Sequence, residues 1–374
     1  MKVTVKELFT RKDLRPFVEF PNKLYKNNPY YVPQLISADL NTLDKRKNHA
    51  FEYCEARYWM AYDEAGKPVG RIAAIINRNY NEKTNQRQCR FGFMDFIDDD
   101  DVVDALLGKV EEWALEKGMD NLNGPLGFLE FDASGVLVDG FTEIPTAYGK
   151  YNDPYYEPHL LKRGFVKDVD WVEMLVKIPY PLPEEYSRVA ELVSKRYNLH
   201  VQKIRNKKEM VRTFDEMADL LNHTYRNLHG FSELTKGQVE DLKKQFVPNL
   251  RPDFVCVVRN EENRMVGFGI CLPSIARALQ KAKGRLFPFG FIHILRALNH
   301  NEVLDTLLIG IDDDYKSKGV NAIIFDSTSF IIKKYGIKYV ETTRELETNI
   351  SVQNLWNKFE SRIHKRARCY LKQL

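Results

Sequence analysis

Residues Leu307 to Ala322 read L-L-I-G-I-D-D-D-Y-K-S-K-G-V-N-A, and I-I-F-D-S-T-S-F-I-I-K-K-Y-G follows to Gly336. An apolar run of buried-strand length enters a charged turn, and a segment of helical length and period leaves it. Strand, turn and helix in this order aim backbone N–H groups and the positive end of a helix dipole at one point, an arrangement that suits phosphate.

The same order of elements occurs twice along the chain. In the second half, a helix around Lys207 to Leu228 leads into a mixed segment through Pro248. Strands Phe254 to Arg259 and Met265 to Leu272 follow, joined by N-E-E-N. After the quoted stretch come a strand Tyr339 to Arg344, a helix Ser351 to Phe359 and a last strand Arg368 to Lys372. In the first half, Tyr58 to Tyr62 and Val69 to Ile76 form a hairpin around D-E-A-G-K-P, and Phe91 to Phe96 alternates as a third strand. Asp101 to Lys117 is an amphipathic helix stopped by Gly118. Strand-like N-L-N-G-P, a Gly-rich excursion from Leu126 to Ala147 and a strand Trp171 to Ile178 complete the half. Gly70 to Gly118 lies over Gly267 to Gly336 once Ser274 to His300 is treated as an insert, which favours an internal duplication.

Pro179, Pro181 and Pro183 mark a joint, so the expected division is an arm over residues 1–50 and domains over 51–182 and 183–374. In the arm, Lys6 to Tyr25 reads as an amphipathic helix interrupted at Pro16 and Pro21.

At 374 residues, two domains of ordinary size are expected. A net charge of +4 over 56 basic and 52 acidic residues argues against a nucleic-acid partner. Five scattered cysteines with no C-x-x-C pair read as reduced thiols of a cytoplasmic protein. The eight histidines show no metal-ligand spacing, so no metal is expected. The charged N-terminus gives no signal peptide, and no apolar run reaches membrane-spanning length.

The K-S-K-G-V-N turn, E-L-E-T-N, and the N-x-x-V-x-x-L-W of Asn349, Val352, Leu355 and Trp356 resemble the GNAT superfamily of acyl-CoA N-acyltransferases. Both halves resemble it. The implied fold is α+β, two tandem GNAT-like domains, each a mixed, mostly antiparallel sheet flanked by helices and splayed between its central strands. The resemblance implies acetyl-CoA or a longer acyl-CoA as co-substrate. Its site would comprise Ile309, Gly310 and Ile311 through their main chain, the turn Lys316, Ser317, Lys318, Gly319, Val320, Asn321 and Ala322, and Asn349 near the pantetheine arm. Lys316 and Gly319 fit the family pattern, whereas Asn321 replaces a small residue and Asp312 to Asp314 place carboxylates before the turn. In the first half, Asp98 to Asp101 stand where the phosphate turn would be, so that domain is expected to have lost its cofactor site.

Amine acylation needs an uncharged nucleophile, a polarised thioester carbonyl and a proton for the leaving thiolate. Glu341, Glu345 and Glu347 share one strand face by alternation. Glu341 is the preferred base, and Glu345 and Glu347 read more simply as a solvated edge. Trp356 stands where the family carries its thiolate-protonating tyrosine, which leaves Tyr370 as the candidate acid. The insert Ser274 to His300 mixes Lys281, Lys283, Arg285 and Arg296 with many apolar residues. It reads either as helices capping the acceptor cleft or the inter-domain contact, or as a peripheral membrane contact serving a long apolar acceptor. The expected function is acyl transfer to an amine, a small molecule or a sphingoid-like lipid. The alternatives are a non-catalytic acyl-CoA-binding or partner-binding pseudoenzyme and an aminoacyl-tRNA-dependent transferase.

Overall fold

The computed structural model describes residues 2–179, 181–247 and 250–374; Pro248, where the mixed segment was expected to end, lies outside them. The strands in chain order are β1 Thr4–Glu7, β2 Cys54–Tyr62, β3 Pro68–Asn77, β4 Gln88–Phe96, β5 Asn121–Gly124, β6 Val136–Asp139 and β7 Val166–Lys177. After the joint come β8 His200–Val201, β9 Val255–Arg259, β10 Met265–Pro273, β11 Val303–Ile311, β12 Tyr339–Thr342, β13 Glu345–Leu346 and β14 Glu360–Gln373.

They form one sheet in the order β1-β2-β3-β4-β5-β14-β7-β12-β11-β10-β9-β8, with β13 on β7 and β6 on β14. Among the described residues only β4·β5 and β11·β12 are parallel, and each of these pairs is joined by a crossover helix, Asp100–Glu116 or Val320–Tyr335. The duplication is visible in register. Gly70 faces Phe96 and Gly267 faces Ile311 across the corresponding hairpins. At both glycines a Cβ would meet the crossover helix, at 2.7 Å from Leu106 and 2.8 Å from Val320.

The two halves exchange their final strands. β7, the last strand of the first half, pairs with β12, and β14, the last strand of the second half, pairs with β5. The two then lie side by side from Glu360 opposite Lys177 to Leu371 opposite Val166. Residues 166–177 and 360–373 are therefore swapped relative to the expected division at 182, and each half's sheet is completed by the other's strand. Apolar clusters lie on both sheet faces, with Phe91, Phe96, Leu106 and Tyr370 in one of the first half and Val257, Phe268 and Leu221 in one of the second.

The arm differs from expectation. Thr4–Glu7 is an edge strand on β2, and the helix Arg11–Leu24 runs unbroken through both prolines. Thr10 and Asp13 form a capping box at its start. Pro21 leaves the Phe17 carbonyl without its helical donor, and the Arg71 guanidinium fills the vacancy at 2.9 Å. The insert folds as the short helices Ala276–Ala282 and Gly290–Asn299, and Ala276 and Leu279 pack against Val32 of the arm.

Candidate active site

The strand β11 outruns its parallel neighbour. Pairing runs from Val303 opposite Tyr339 to Thr306 opposite Thr342, after which β12 ends and Thr343 caps the divergence through Thr306 O and Leu307 O. On the other side the register slips, Ile270 facing Leu308 and Cys271 facing Thr306, so Leu307 is an extra residue that bends β11 away. Asp312 N–H donates to Val266 O, which makes Gly267 opposite Ile311 a non-hydrogen-bonded pair. By alternation, Ile309 and Ile311 point their amides away from β10 and into the open gap. The Tyr225 hydroxyl donates to Ile309 O at 3.1 Å from across that gap.

The turn after β11 is a 3-10 segment, Asp313–Lys318, followed by Gly319 at φ +79°, where a side chain is strained and a Cβ would stand 3.1 Å from Val193. No side chain caps the helix Val320–Tyr335, so the Val320 and Asn321 amides at its first turn have no side-chain partner. The Ala322 amide, expected to join them, instead donates to Gly319 O. Val320 packs its side chain in the core, Gly310 lies on the Phe268 ring, and Ser317 belongs to the turn. Lys318 lies over the Tyr315 ring. Two of the three acids before the turn are already engaged. Asp312 pairs with Arg264 at 2.6 Å, and Asp313 pairs with Arg226 at 2.8 Å and Lys316 at 2.7 Å. Their charges are offset before any anion arrives.

The three glutamates separate. Glu341 is buried in an ion cluster, with Lys365 Nζ at 2.6 Å and His364 Nε2 at 3.3 Å, and it does not line the cavity. Burial raises its pKa, but the imidazole and ammonium outweigh burial and hold it below the usual range. It is not poised as a base. Glu173, Glu341 and His364 have the spacing of a metal group, yet Lys365 Nζ, 2.6 Å from both carboxylates, supplies the cation among them. Glu347 pairs with Lys167 at 2.6 Å. Glu345 behaves differently. It lines the cavity, accepts from Trp356 Nε1 at 3.2 Å and keeps Oε2 buried without a partner, and burial pushes it up to about 7 against the pull of the Trp356 bond. The edge reading of Glu345 is therefore corrected.

Tyr370 is not near this gap. It belongs to the part of β14 that crosses to β5, its side chain is in the first half's core, and its hydroxyl donates to Glu157 at 2.7 Å. The strand exchange carried it away. Asn349 precedes the helix Ile350–Gln353 but makes no side-chain cap, and it lines the cavity together with Ile309, Ile311, Lys316 and Asn321.

That cavity has a volume of about 2180 Å³, roughly twice the upper end of ordinary ligand sites. One wall is apolar, formed by Leu221, Phe246, Phe268, Ile270, Phe291 and Leu295. The part of the lining that comes from the first half and the arm includes Asp39, Arg71, Asp95, Glu130 and Asp132. Asp39 and Glu130 are each pushed by burial up to about 7. Tyr225, Asp39 and Glu130 had no signal in the sequence, because Glu130 sits in a Gly-rich excursion and the others in unremarkable helices.

The first half's own gap is plugged. Beyond Arg90 opposite Asn123, β4 parts from β5, and Tyr155 and Tyr156 occupy the space. Phe96, the counterpart of Ile311, donates its amide to the Tyr156 hydroxyl at 3.1 Å, accepts from the Tyr155 hydroxyl at 2.6 Å and stacks on the Tyr156 ring. Asp99 caps the following helix, while Lys162 and Arg163 bind Asp100 at 2.7 and 3.0 Å. These side chains and ion pairs fill the place that the corresponding gap of the second half leaves open.

No protein-family profile matches the chain. It is 26% identical over 380 residues to Protein YghO of Escherichia coli, covering 99% of this chain and 95% of that protein. It is 24% identical over 298 residues to a bacterial ceramide synthase of Caulobacter vibrioides, covering 76% of this chain and 74% of that protein. Among solved structures it superposes on a tandem GNAT protein from the clavulanic acid biosynthesis pathway with a TM-score of 0.57 at 11% identity, over 100% of this chain and 98% of the other. A GCN5-related N-acetyltransferase from Sphaerobacter thermophilus gives 0.53 at 9% identity, over 99% and 95%.

Proposed function

We propose that this chain, which has the tandem GNAT fold with one open and one plugged gap, transfers an acyl group from an acyl-CoA thioester to an amine. The observation that carries the reading is the open side of β11. The amides of Ile309 and Ile311 face a gap that no strand fills, and the same strand runs straight into the Gly319 turn. A thioester lying along β11 brings its carbonyl oxygen to those amides, which then stabilise the oxyanion of the tetrahedral intermediate. Its pyrophosphate falls on the Val320 and Asn321 amides with Lys316 beside them. Glu345 is the base in this reading: it is among the residues lining the cavity, its second carboxylate oxygen is buried with no hydrogen-bond partner, and burial pushes its pKa up to about 7. The proton it removes from nitrogen then serves the departing thiolate, so Trp356 need not donate one.

The size and apolar wall of the cavity support long-chain substrates, and a ceramide synthase among the relatives supports a long-chain amine as acceptor. Phe291 and Leu295 line the cavity and are also exposed, beside Phe287 and Phe289 at 77% and 69% exposure. Lys281, Lys283, Arg285 and Arg296 stand in the same segment of the sequence. A cytoplasmic protein with this rim takes its lipid substrate from an anionic membrane surface through residues 274–300. No described helix is long and apolar enough to cross a membrane.

Thiol release from acetyl-CoA and palmitoyl-CoA with a panel of amines, including sphinganine, tests the reading. Amine-dependent release is expected. Binding of either thioester with no release for any amine would instead establish the pseudoenzyme that Trp356 favours. For the membrane face, Phe287→Ser/Phe289→Ser should lose sedimentation with phosphatidylglycerol vesicles, and equal sedimentation of variant and wild type would remove that part.

A further inference from the structure

We propose that the first domain supplies the acceptor half of the active site through Glu130, whose carboxylate receives the ammonium of the incoming amine and takes a proton from it. The chemistry rests on the acyl-transfer reading above; the binding claim does not. After β5 the chain enters the segment 126–134, which leaves its own domain and places Leu129 and Phe131 against the core of the second half. The segment is held from several sides. Arg344, of the second half, donates to Ser134 O and Asp132 O at 2.9 and 2.8 Å. Arg90 donates to Gly127 O and Gly230 O at 3.1 and 2.8 Å, and Asp132 accepts from the Phe128 and Leu129 amides.

Within so firmly held a segment, Glu130 alone among the acids has no partner. It lines the cavity, and no hydrogen bond or ion pair reaches its side chain among the described residues. Gly230 lies next to it, and a Cβ there would come within 3.2 Å of Oε2. The side chain is partly exposed in the cavity lining, and an unpaired carboxylate beside a largely apolar cavity is one that a cationic ligand stabilises. The charged and titratable groups around it are Arg344, Arg90 and Asp132, the arginines favouring the carboxylate and Asp132 opposing it. The Tyr225 hydroxyl, which donates to the Ile309 carbonyl at 3.1 Å, feels the fields of both Glu130 and Glu345, one carboxylate from each half.

The step balances as follows. The amine arrives as ammonium, and Glu130 takes one N–H proton, freeing the nitrogen lone pair. That pair attacks the thioester carbonyl carbon, the C–N bond forms and the carbonyl π pair moves onto oxygen. Glu345 takes the second N–H proton. When the carbonyl re-forms, the C–S bond breaks with its electrons on sulfur, and the proton on Glu345 passes to the thiolate. The proton on Glu130 leaves to solvent, a net release of one.

Titration calorimetry with octylamine, octanol and palmitoyl-CoA on wild type, Glu130→Gln and Glu130→Asp tests the inference. Glu130→Gln is near-isosteric and removes an unpaired charge, so the fold is retained; the thermal midpoint checks this. Expected are a tenfold or greater loss of octylamine affinity in Glu130→Gln, a smaller loss in Glu130→Asp, and unchanged octanol and palmitoyl-CoA binding. Octylamine affinity within twofold of wild type, an equal loss of octanol, or no octylamine binding to wild type overturns it. If palmitoyl-CoA fails to bind while octylamine still depends on Glu130, the acyl-transfer reading falls and the amine site stands.

Discussion

Trp356 Nε1 donates to Glu345 Oε1 at 3.2 Å, and the other oxygen of that carboxylate is buried with no partner. The indole thus stands where a phenolic acid was expected and instead holds the carboxylate of Glu345, the proposed base. A hydrogen bond to the carboxylate favours its ionised form. Trp356→Phe should therefore raise the pKa of Glu345 and move the rising limb of the kcat–pH profile to higher pH. Glu345→Gln should lower kcat by about 10²–10⁴-fold while palmitoyl-CoA affinity is retained. Unchanged turnover in Glu345→Gln would dismiss this base.

Gly319→Glu combines a strained backbone at φ +79° with a carboxylate aimed at the start of the helix Val320–Tyr335. Acyl-CoA affinity should fall at least tenfold by calorimetry. Gly319→Ala carries the strain without the charge and should lose less.

Lys365 is 2% exposed and holds Glu173 and Glu341 together. Its removal leaves paired acids uncompensated beside Asp305, which stands directly opposite Glu341. Lys365→Ala should cost about 3–5 kcal/mol in urea unfolding, whereas a catalytic lysine would show a rate loss without that cost.

Asp39, Glu130 and Glu345 all have folded pKa values raised to about 7 from 3.8 or 4.5. The folded state binds more protons than the unfolded chain between these values, so their contribution favours the fold below the unfolded pKa and is lost as pH rises through 7. The Tm should drop between about pH 4 and 7 and level off above, and Glu130→Gln/Glu345→Gln should flatten that slope. A double variant with the wild-type slope would refute the assignment.

Acyl-CoA should bind at one site per chain, since Tyr155, Tyr156 and the Asp100 ion pairs fill the first half's gap. Calorimetric stoichiometry near two would contradict this.

The residues 307–322 carried their meaning locally. A buried strand, a glycine turn and an amphipathic helix are set by short-range periodicity and backbone preference, and so the duplicated α+β fold and the strand, turn and helix that follow one another at β11 were legible from the chain alone. Which carboxylate lines the cavity was not. Glu341 and Glu345 obey the same alternation, and only the packing of β14 across the domain joint gave Glu341 a lysine and left Glu345 an open cavity. Likewise Tyr370 was lost to the other domain and Glu130 gained from it, because strand exchange and loop insertion depend on contacts hundreds of residues apart, about which local pattern carries no information.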